Sequence, residues 1–194
     1  MDAAVQAAMA RWPDVPDCYG WLHLDARGQW RIGPERAPIQ HPGLRAFIGR
    51  NYAHDVQGNW FFQNGPQRVF ASLEAAPWIL TLNDCNTGLV THTDVRVPPP
   101  ESLWLGDDGR IYAPSPLGPA SIDDRDLPTV LELLMAGARP DDPDTWVEAW
   151  QELAPTGRIS TRLWDRPVSL CRFRDDPAIP LGFIRAPLPE DETR

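Results

Sequence analysis

Short stretches in which apolar and polar residues alternate follow one another along the chain, separated by residues that favour turns. Leu22 and Leu24 alternate before the turn 25–28, and Trp30 and Ile32 resume the alternation after it. A period of two is typical of strands with one buried face, so this segment is predicted to form a hairpin. The same criteria predict further strands near 59–63, 66–73, 77–83, 89–95, 158–164, 167–173 and 181–185.

Helical segments are few and short, and they begin at residues that favour helix starts. Helices are predicted over 3–12, 42–50, 125–136 and 143–153. Asp2 and Asp142 precede two of them as candidate caps, and Pro42 occupies a favoured first-turn position. Gly137 is predicted to end the third helix.

The two halves of the chain share one order of hairpin, Ile, helix, strand, turn and strand. The matched pairs are Leu22/Leu103, Leu24/Leu105, Gly28/Gly109, Ala37/Ala120, Ile39/Ile122, Leu44/Leu127, Arg68/Arg158, Val69/Ile159, Leu73/Leu163, Pro77/Pro167 and Leu80/Leu170. Chance similarity stays open as an alternative, because apolar matches at a period of two arise easily. We favour duplication, since the order is shared and two blocks align without gaps.

These patterns predict an α+β fold of two tandem similar units, packed together, with mostly antiparallel strands and a short helix in each unit. Each unit alone would be small for a stable core. The predicted organisation is an N-terminal helix and lead-in over 1–19, a first unit over 20–97, a second unit over 98–187 and an acidic tail over 188–194, with Pro98–Pro100 as the linker.

The composition narrows the possible functions without selecting one. The formal net charge is −9, and all 18 basic residues are Arg because the chain has no Lys. An acidic surface disfavours nucleic acids and anionic membranes as partners, since both are bound through basic residues. Nine Trp indicate a large aromatic content in a core or groove, and 22 Pro indicate many short elements.

Sequence signals for export and membrane insertion are missing. The first residues lack the basic and apolar regions of a signal peptide, and no apolar run is long enough to span a bilayer. The three widely spaced Cys are odd in number, which is typical of a reducing compartment. We therefore expect a cytoplasmic bacterial protein with free thiols at Cys18, Cys85 and Cys171.

No motif for catalysis, metal binding or phosphate binding occurs in the sequence. His23, His41, His54 and His92 form no ligand spacing with each other or with Cys, so neither a metal nor a cofactor is predicted. The acidic runs 123–126 and 141–144 each precede a helix, where carboxylates stabilise the helix start. We interpret both runs as capping segments.

The segment 51–68 is the most distinctive part of the first unit, and we predict the binding site there. An Asn64-Gly65 turn would place Phe61 opposite Arg68, with Phe61, Gln63 and Arg68 on one face of the hairpin. Such a group could hold a carboxylate, an amide or a peptide backbone, whereas a structural cation–π pair is the alternative. The candidate binding residues are Tyr52, His54, Asp55, Trp60, Phe61, Gln63, Asn64, Gln67 and Arg68.

The longest distinctive run comprises Arg50-Asn51-Tyr52, His54-Asp55, Gly58 and Trp60-Phe61-Phe62-Gln63-Asn64-Gly65-Pro66-Gln67-Arg68-Val69, followed by Leu73-Glu74 and Pro77-Trp78. This run resembles the core motif of an uncharacterised proteobacterial family of about this length. The order Gly-x-Trp, Pro-Ile and Leu-x-x-Phe is similar, more distantly, to a second family of unknown function. The resemblance supports the fold and a cytoplasmic origin, and it implies no activity.

Three hypotheses about function follow from the sequence. We favour a non-enzymatic binding or regulatory module for a small molecule or a protein partner. The first alternative is a hydrolase-type enzyme that uses carboxylates, for instance Asp55 with Glu74. The second alternative is a structural subunit of a homo-oligomer.

Overall fold

The computed structural model of the chain describes residues 1–139, 141–154 and 157–189. They form two compact units, of which the first contains residues 1–77 and the described residues from 182 onward, and the second contains 78–181. Each unit is built around one β-sheet with short helices. The α+β class predicted from the alternation is confirmed.

The first unit contains a six-stranded sheet and two helices. In chain order its elements are α1 (Ala3–Arg11), β1 (Cys18–Leu24), β2 (Trp30–Ile32), β3 (Ala37–Pro38), α2 (Pro42–Arg50), β4 (Tyr52–His54), β5 (Trp60–Asn64) and β6 (Gln67–Leu73). The strand order is β3-β2-β1-β6-β5-β4, and only the β1–β6 pairing in this sheet is parallel. Leu22, Leu24 and Trp30 from β1 and β2 are buried together with Ile48 of α2, which explains the period of two in the strands.

The second unit contains an eight-stranded sheet and three helices within its described residues. Its elements are β7 (Trp78–Leu82), β8 (Leu89–Thr91), β9 (Arg96–Val97), β10 (Ser102–Leu105), β11 (Ile111–Ser115), β12 (Gly118–Ile122), α3 (Leu127–Ala138), α4 (Pro143–Gln151), β13 (Ile159–Leu163), β14 (Arg166–Arg172) and α5 (Ala178–Leu181). The strand order is β13-β14-β10-β11-β12-β7-β8-β9. The pairings β10–β14 and β7–β12 are parallel, and the remaining pairings are antiparallel.

Five strands of the first sheet and five of the second have the same order and the same pairing directions. The series β3-β2-β1-β6-β5 corresponds to β12-β11-β10-β14-β13. Leu22 and Leu103 lie in equivalent strands, β1 and β10. Ile39 comes directly after Pro38, which pairs with Arg31, and Ile122 comes directly after Ser121, which pairs with Tyr112 at the equivalent position. Common ancestry of the two units stays a prediction, but their equivalent strand order is a property of the structure.

One block of the sequence alignment pairs the wrong strands. The match of 68–80 with 158–170 equates β6 with β13, whereas the sheet order equates β6 with β14 and β5 with β13. Apolar positions at a period of two fit several registers equally well, so the alternation alone does not select the strand.

The division into units differs from the boundary predicted at residue 98. Residues 78–97 belong to the second unit, because β7 pairs with β12 through backbone hydrogen bonds. Pro98–Pro100 therefore lie within the second unit and do not link the two units. The predicted tail after Pro187 falls largely on residues 190–194, which lie outside the described residues.

Several predicted elements have different bounds or roles. No strand forms over 181–185. Instead, Ile184 N donates to Gly58 O at 2.9 Å, and Leu73 N donates to Arg185 O at 2.7 Å. Of the strand predicted over 89–95, only 89–91 forms a strand, β8, and β9 follows at 96–97. No helix in the described part of the chain is long and apolar enough to cross a membrane.

At two of the four predicted helix starts, those of α1 and α3, the N-cap aspartate forms no capping hydrogen bond with its side chain. Asp142 accepts a hydrogen bond from Asp144 N at 3.2 Å and caps α4, and His41 Nδ1 accepts one from Leu44 N at 3.2 Å at the start of α2. Asp2 instead forms an ion pair with Arg50 at 3.2 Å. Asp126 accepts from Leu82 N at 2.8 Å and does not cap α3.

Candidate functional site

The β5–β6 hairpin carries most of the predicted site, and its turn lies one residue later than expected. Asn64 pairs with Gln67 and Gln63 pairs with Arg68, so Gly65 and Pro66 are the two turn residues. Pro66 has no N–H to donate to a strand ladder, which favours its place in the turn. Gly65 adopts a φ of +58°, a conformation that suits glycine.

The shifted turn preserves the predicted division of side chains between the two faces. Phe61, Gln63 and Arg68 share one face, as alternation requires. The Arg68 guanidinium carbon lies 5.7 Å from the ring centre of Phe61 and 5.3 Å from that of Phe70. Phe70 in turn stacks on Tyr19 with ring centres 4.5 Å apart.

The aromatic candidates Tyr52, His54 and Trp60 are grouped away from Arg68, on the other face of the hairpin. The ring centre of Trp60 lies 5.0 Å from that of Tyr52 and 4.8 Å from that of His54. Tyr52 also contacts Trp30 edge to face at 5.0 Å, and burial raises the pKa of its phenol well above the ordinary value. Trp60 is buried in the core of the first unit, Tyr52 is half-buried against it, and His54 is exposed at the end of β4.

A carboxylate outside the predicted segment holds Arg68. Asp17 lies in the lead-in to β1, and its oxygens accept from Arg68 Nε at 2.9 Å and from Nη2 at 2.5 Å. These hydrogen bonds raise the pKa of the Arg68 guanidinium. The Arg68 side chain stays 42% exposed, so the pairing orients it without enclosing it.

A groove of about 670 Å³ lies between α1 with its lead-in and the β5–β6 hairpin. Its walls combine apolar side chains with polar groups. The lining residues are Met1, Met9, Pro13, Val15, Pro16, Asp17, Phe61, Gln63, Pro66 and Arg68. A concavity in which fixed polar groups accompany apolar side chains can orient a ligand as well as bury part of it.

Two polar groups of the groove keep hydrogen-bonding capacity. Gln63 is 2% exposed and donates from Nε2 to Gly65 O at 2.9 Å, while its Oε1 accepts no hydrogen bond from the described residues. Arg68 donates to Asp17 from Nε and Nη2, and its Nη1 has no hydrogen-bond partner among the described residues. The groove therefore presents an acceptor and a donor beside its apolar walls.

The amide candidates of the turn have structural contacts. Gln67 Nε2 donates to Pro16 O at 2.9 Å and ties the hairpin to the lead-in. Asn64 is exposed at the last position of β5. Gln67 thus helps to shape the groove without lining it.

Asp55 stabilises its own turn. Its Oδ1 accepts from Gln57 N at 3.0 Å and from Asn59 N at 2.9 Å, and its Oδ2 accepts from Asn59 Nδ2 at 3.0 Å. The sequence contains a signal for this role, because Asp25 opens an Asp-x-x-Gly-x-Trp pattern identical to that of Asp55. Asp25 accepts from two backbone N–H groups in the equivalent way.

The acidic run before α3 also forms local hydrogen bonds within its own segment. Asp123 is fully buried and accepts from Arg125 Nε at 2.9 Å and from Arg125 N at 3.0 Å.

Within the described residues, no group of three or more His, Cys, Asp or Glu side chains is arranged to hold a metal ion. Cys18, Cys85 and Cys171 carry free thiols, and burial raises the pKa of Cys171.

Comparison with known proteins places the chain in a family. Residues 1–185 match the family described as "Protein of unknown function (DUF2946)". The chain belongs to this family. No curated protein matches it.

Two crystal structures of DUF1285 family proteins are similar to this member of the DUF2946 family. The protein from Silicibacter pomeroyi DSS-3 is 13% identical and has a TM-score of 0.52, over 88% of this chain and 96% of that chain. The protein from Shewanella baltica OS155 is 16% identical and has a TM-score of 0.41, over 57% of this chain and 90% of that chain. The first similarity supports the α+β fold alone.

Proposed function

We propose that the protein is a non-enzymatic binding module whose ligand occupies the groove of the first unit. The observation that carries this proposal is the pair of available polar groups, Gln63 Oε1 and Arg68 Nη1, in a groove that also has apolar side chains in its walls. The ligand is a small molecule or a protein segment with an apolar body and a polar group that contacts both residues.

An amide or peptide group fits these polar residues best. Its carbonyl accepts from Arg68, and its N–H donates to Gln63 Oε1. A carboxylate has no N–H for Gln63, and the positive charge of Arg68 is already compensated by Asp17. The net charge of −9 further disfavours an anionic ligand.

The apolar walls supply the contact area for the ligand body. Met1 and Met9 are flexible side chains that adapt to different shapes, and Phe61 adds a rigid aromatic surface. The prolines of the lead-in lose little conformational entropy when a ligand orders them. This combination supports a module that recognises one polar group within varied apolar surroundings.

Two further expectations belong to the same proposal. A cytoplasmic location is supported by three free thiols and by the acidic, Arg-only composition. The carboxylate enzyme has less support, because the Asp55 oxygens accept three hydrogen bonds from its own turn. A homo-oligomeric role stays an alternative.

The test uses three probes that share a six-carbon chain and differ in the polar head: hexanamide, hexanoate and hexylamine. Each is titrated into the isotope-labelled full chain while the side-chain NMR signals of Gln63 and Arg68 are followed. We expect saturable shifts at millimolar concentration with hexanamide, and weaker shifts with hexanoate and hexylamine, because hexanoate pairs only with Arg68 and hexylamine only with Gln63. The amide is expected to bind most tightly because it alone pairs with both residues.

The other outcomes separate the parts of the proposal. Tighter binding of hexanoate would retain the groove as a site but contradict the preference for an amide. The absence of saturable shifts with all three probes would contradict the proposed function.

A further inference from the structure

A second cavity, of about 320 Å³, lies in the second unit. The β10–β11 hairpin, α3 and α4 form its walls, and Arg172 of β14 lies at its edge. Its apolar lining consists of Leu105, Ile111, Leu127, Leu131, Val147 and Trp150. Its volume is at the lower end of the range for small-molecule sites, about 300–1,000 Å³.

One residue that lines the cavity, Trp150, has a buried hydrogen-bond donor. Trp150 is 3% exposed, and its buried Nε1 has no hydrogen-bond acceptor among the residues that the structure describes. Buried donors are nearly always paired, because an unpaired one loses its hydrogen bonds to water without compensation. An indole at this position therefore calls for an acceptor, and the described residues do not supply one.

The charged residues at the cavity are already paired. Arg172 Nη2 donates to Asp107 Oδ1 at 2.9 Å, and Arg172 Nη1 donates to the backbone oxygen of Gln151. The same contact holds the C-terminal end of α4 against the β10–β11 turn. With its charges compensated, the cavity favours an uncharged occupant.

Helix α4 gives the second unit a wall that the first unit lacks. The first unit has β4 between its helix α2 and strand β5, whereas the second has α4 between α3 and β13. Val147, Trp150 and Gln151 of α4 all line the cavity. The cavity thus depends on an element that has no counterpart in the first unit.

We propose that this cavity binds an uncharged, mainly apolar small molecule whose carbonyl oxygen accepts a hydrogen bond from Trp150 Nε1. The apolar lining selects the body of the molecule, and the indole selects an acceptor. This site is separate from the groove of the first unit, so either can exist without the other.

Acetophenone and ethylbenzene test the proposal, because they share a ring and differ in the carbonyl. Each is titrated into the full-length protein while the indole N–H signals are followed by NMR, with Trp150 assigned through Trp150→Phe. We expect acetophenone to move the Trp150 signal downfield and to bind at least fivefold more tightly than ethylbenzene. Equal binding of the two probes, or an unmoved Trp150 signal, would overturn the proposal.

The Trp150→Phe variant provides a second readout. It removes the unpaired donor while keeping an aromatic ring, so we expect an unchanged or higher melting temperature together with weaker acetophenone binding. Trp146→Phe is the matched control. Trp146 lies on the same helix with its ring centre 5.9 Å from that of Trp150, but it does not line the cavity. Undiminished binding by Trp150→Phe would contradict the assignment, and the wild-type titration decides the case if that variant fails to fold.

Discussion

Polar side chains of the first unit have two roles: some stabilise turns, and others line the groove. Asp25 and Asp55 each accept backbone hydrogen bonds within a hairpin turn. Asp17 and Arg68 instead join the lead-in to the hairpin across 51 positions of sequence. A local pattern can identify the first role because donor and acceptor are neighbours in the chain, whereas the second depends on the folded structure.

His23 has an environment that makes stability depend on pH. Burial on β1 lowers its pKa below the ordinary value of 6.5, and the charge of Arg36 acts in the same direction. The unfolded chain therefore binds more protons between the two pKa values. This contribution to stability is present above 6.5 and is lost as the pH falls through the lowered value.

We expect the melting temperature to fall between pH 7.5 and 5.5, and to fall less in His23→Gln, which has no titrating group at this position. Calorimetry of both proteins at matched ionic strength measures the difference. If both proteins lose the same number of degrees, another group accounts for the pH dependence.

At the scale of elements, close backbone contacts determine where helices meet strands. Gly137 lies inside α3 and does not end it; the terminal residue in left-handed conformation is Arg139. A Cβ at Gly137 would lie 2.8 Å from the carbonyl carbon of Arg162 on β13. Thr161 Oγ1 also donates to Leu134 O at 2.8 Å at this contact. Glycine is therefore needed here for close packing.

Gly137→Ala tests this packing role, because helix propensity and close packing predict opposite changes in the free energy of unfolding. Propensity alone would stabilise the helix by about 1 kcal/mol. We expect a destabilisation of about 1–3 kcal/mol instead, since α3 and β13 must separate to admit the methyl group. Urea unfolding measures the change.

Ala136→Gly is the control for this substitution. Ala136 is exposed on the same helix, and its replacement is expected to cost about 1 kcal/mol through propensity. Stabilisation by Gly137→Ala would show that the contact with β13 yields easily.

Elements with strong local signals could be predicted, and their arrangement could not. The helix Pro42–Arg50 has its predicted bounds because a proline opens it and its apolar side chains share one face. The parallel pairings β1–β6 and β7–β12 join strands that are distant in sequence, and no local pattern reports them. The face shared by Phe61, Gln63 and Arg68 was predictable from alternation, but the register required the position of Pro66.

At the scale of the whole molecule, two units with equivalent five-strand orders carry different additions. The first sheet adds β4 beside β5, and the second adds β7, β8 and β9 beside β12. Outside the sheets, the groove includes residues of α1 and its lead-in, and the cavity includes residues of α4; neither helix has a counterpart in the other unit. This is the distribution expected if a common framework supplies stability and the additions supply separate binding sites.

Replacement of Arg68 separates a role in ligand binding from a role in stability. Its exposed pairing with Asp17 should contribute no more than about 1 kcal/mol to stability, so Arg68→Ala is expected to fold with a nearly unchanged melting temperature. Arg50→Ala is the matched control, because Arg50 forms an exposed pair with Asp2 in the same unit and does not line the groove. A large loss of stability in Arg68→Ala would identify the arginine as structural.

The most direct test is the dissociation constant of hexanamide for the wild-type protein, Arg68→Ala and Arg50→Ala, measured by NMR titration on folded protein. A hydrogen bond from a charged group contributes about 1.5–3 kcal/mol, so the account predicts at least tenfold weaker binding by Arg68→Ala. Arg50→Ala should bind like the wild type. Equal dissociation constants for all three proteins would contradict the assignment of the groove as the binding site.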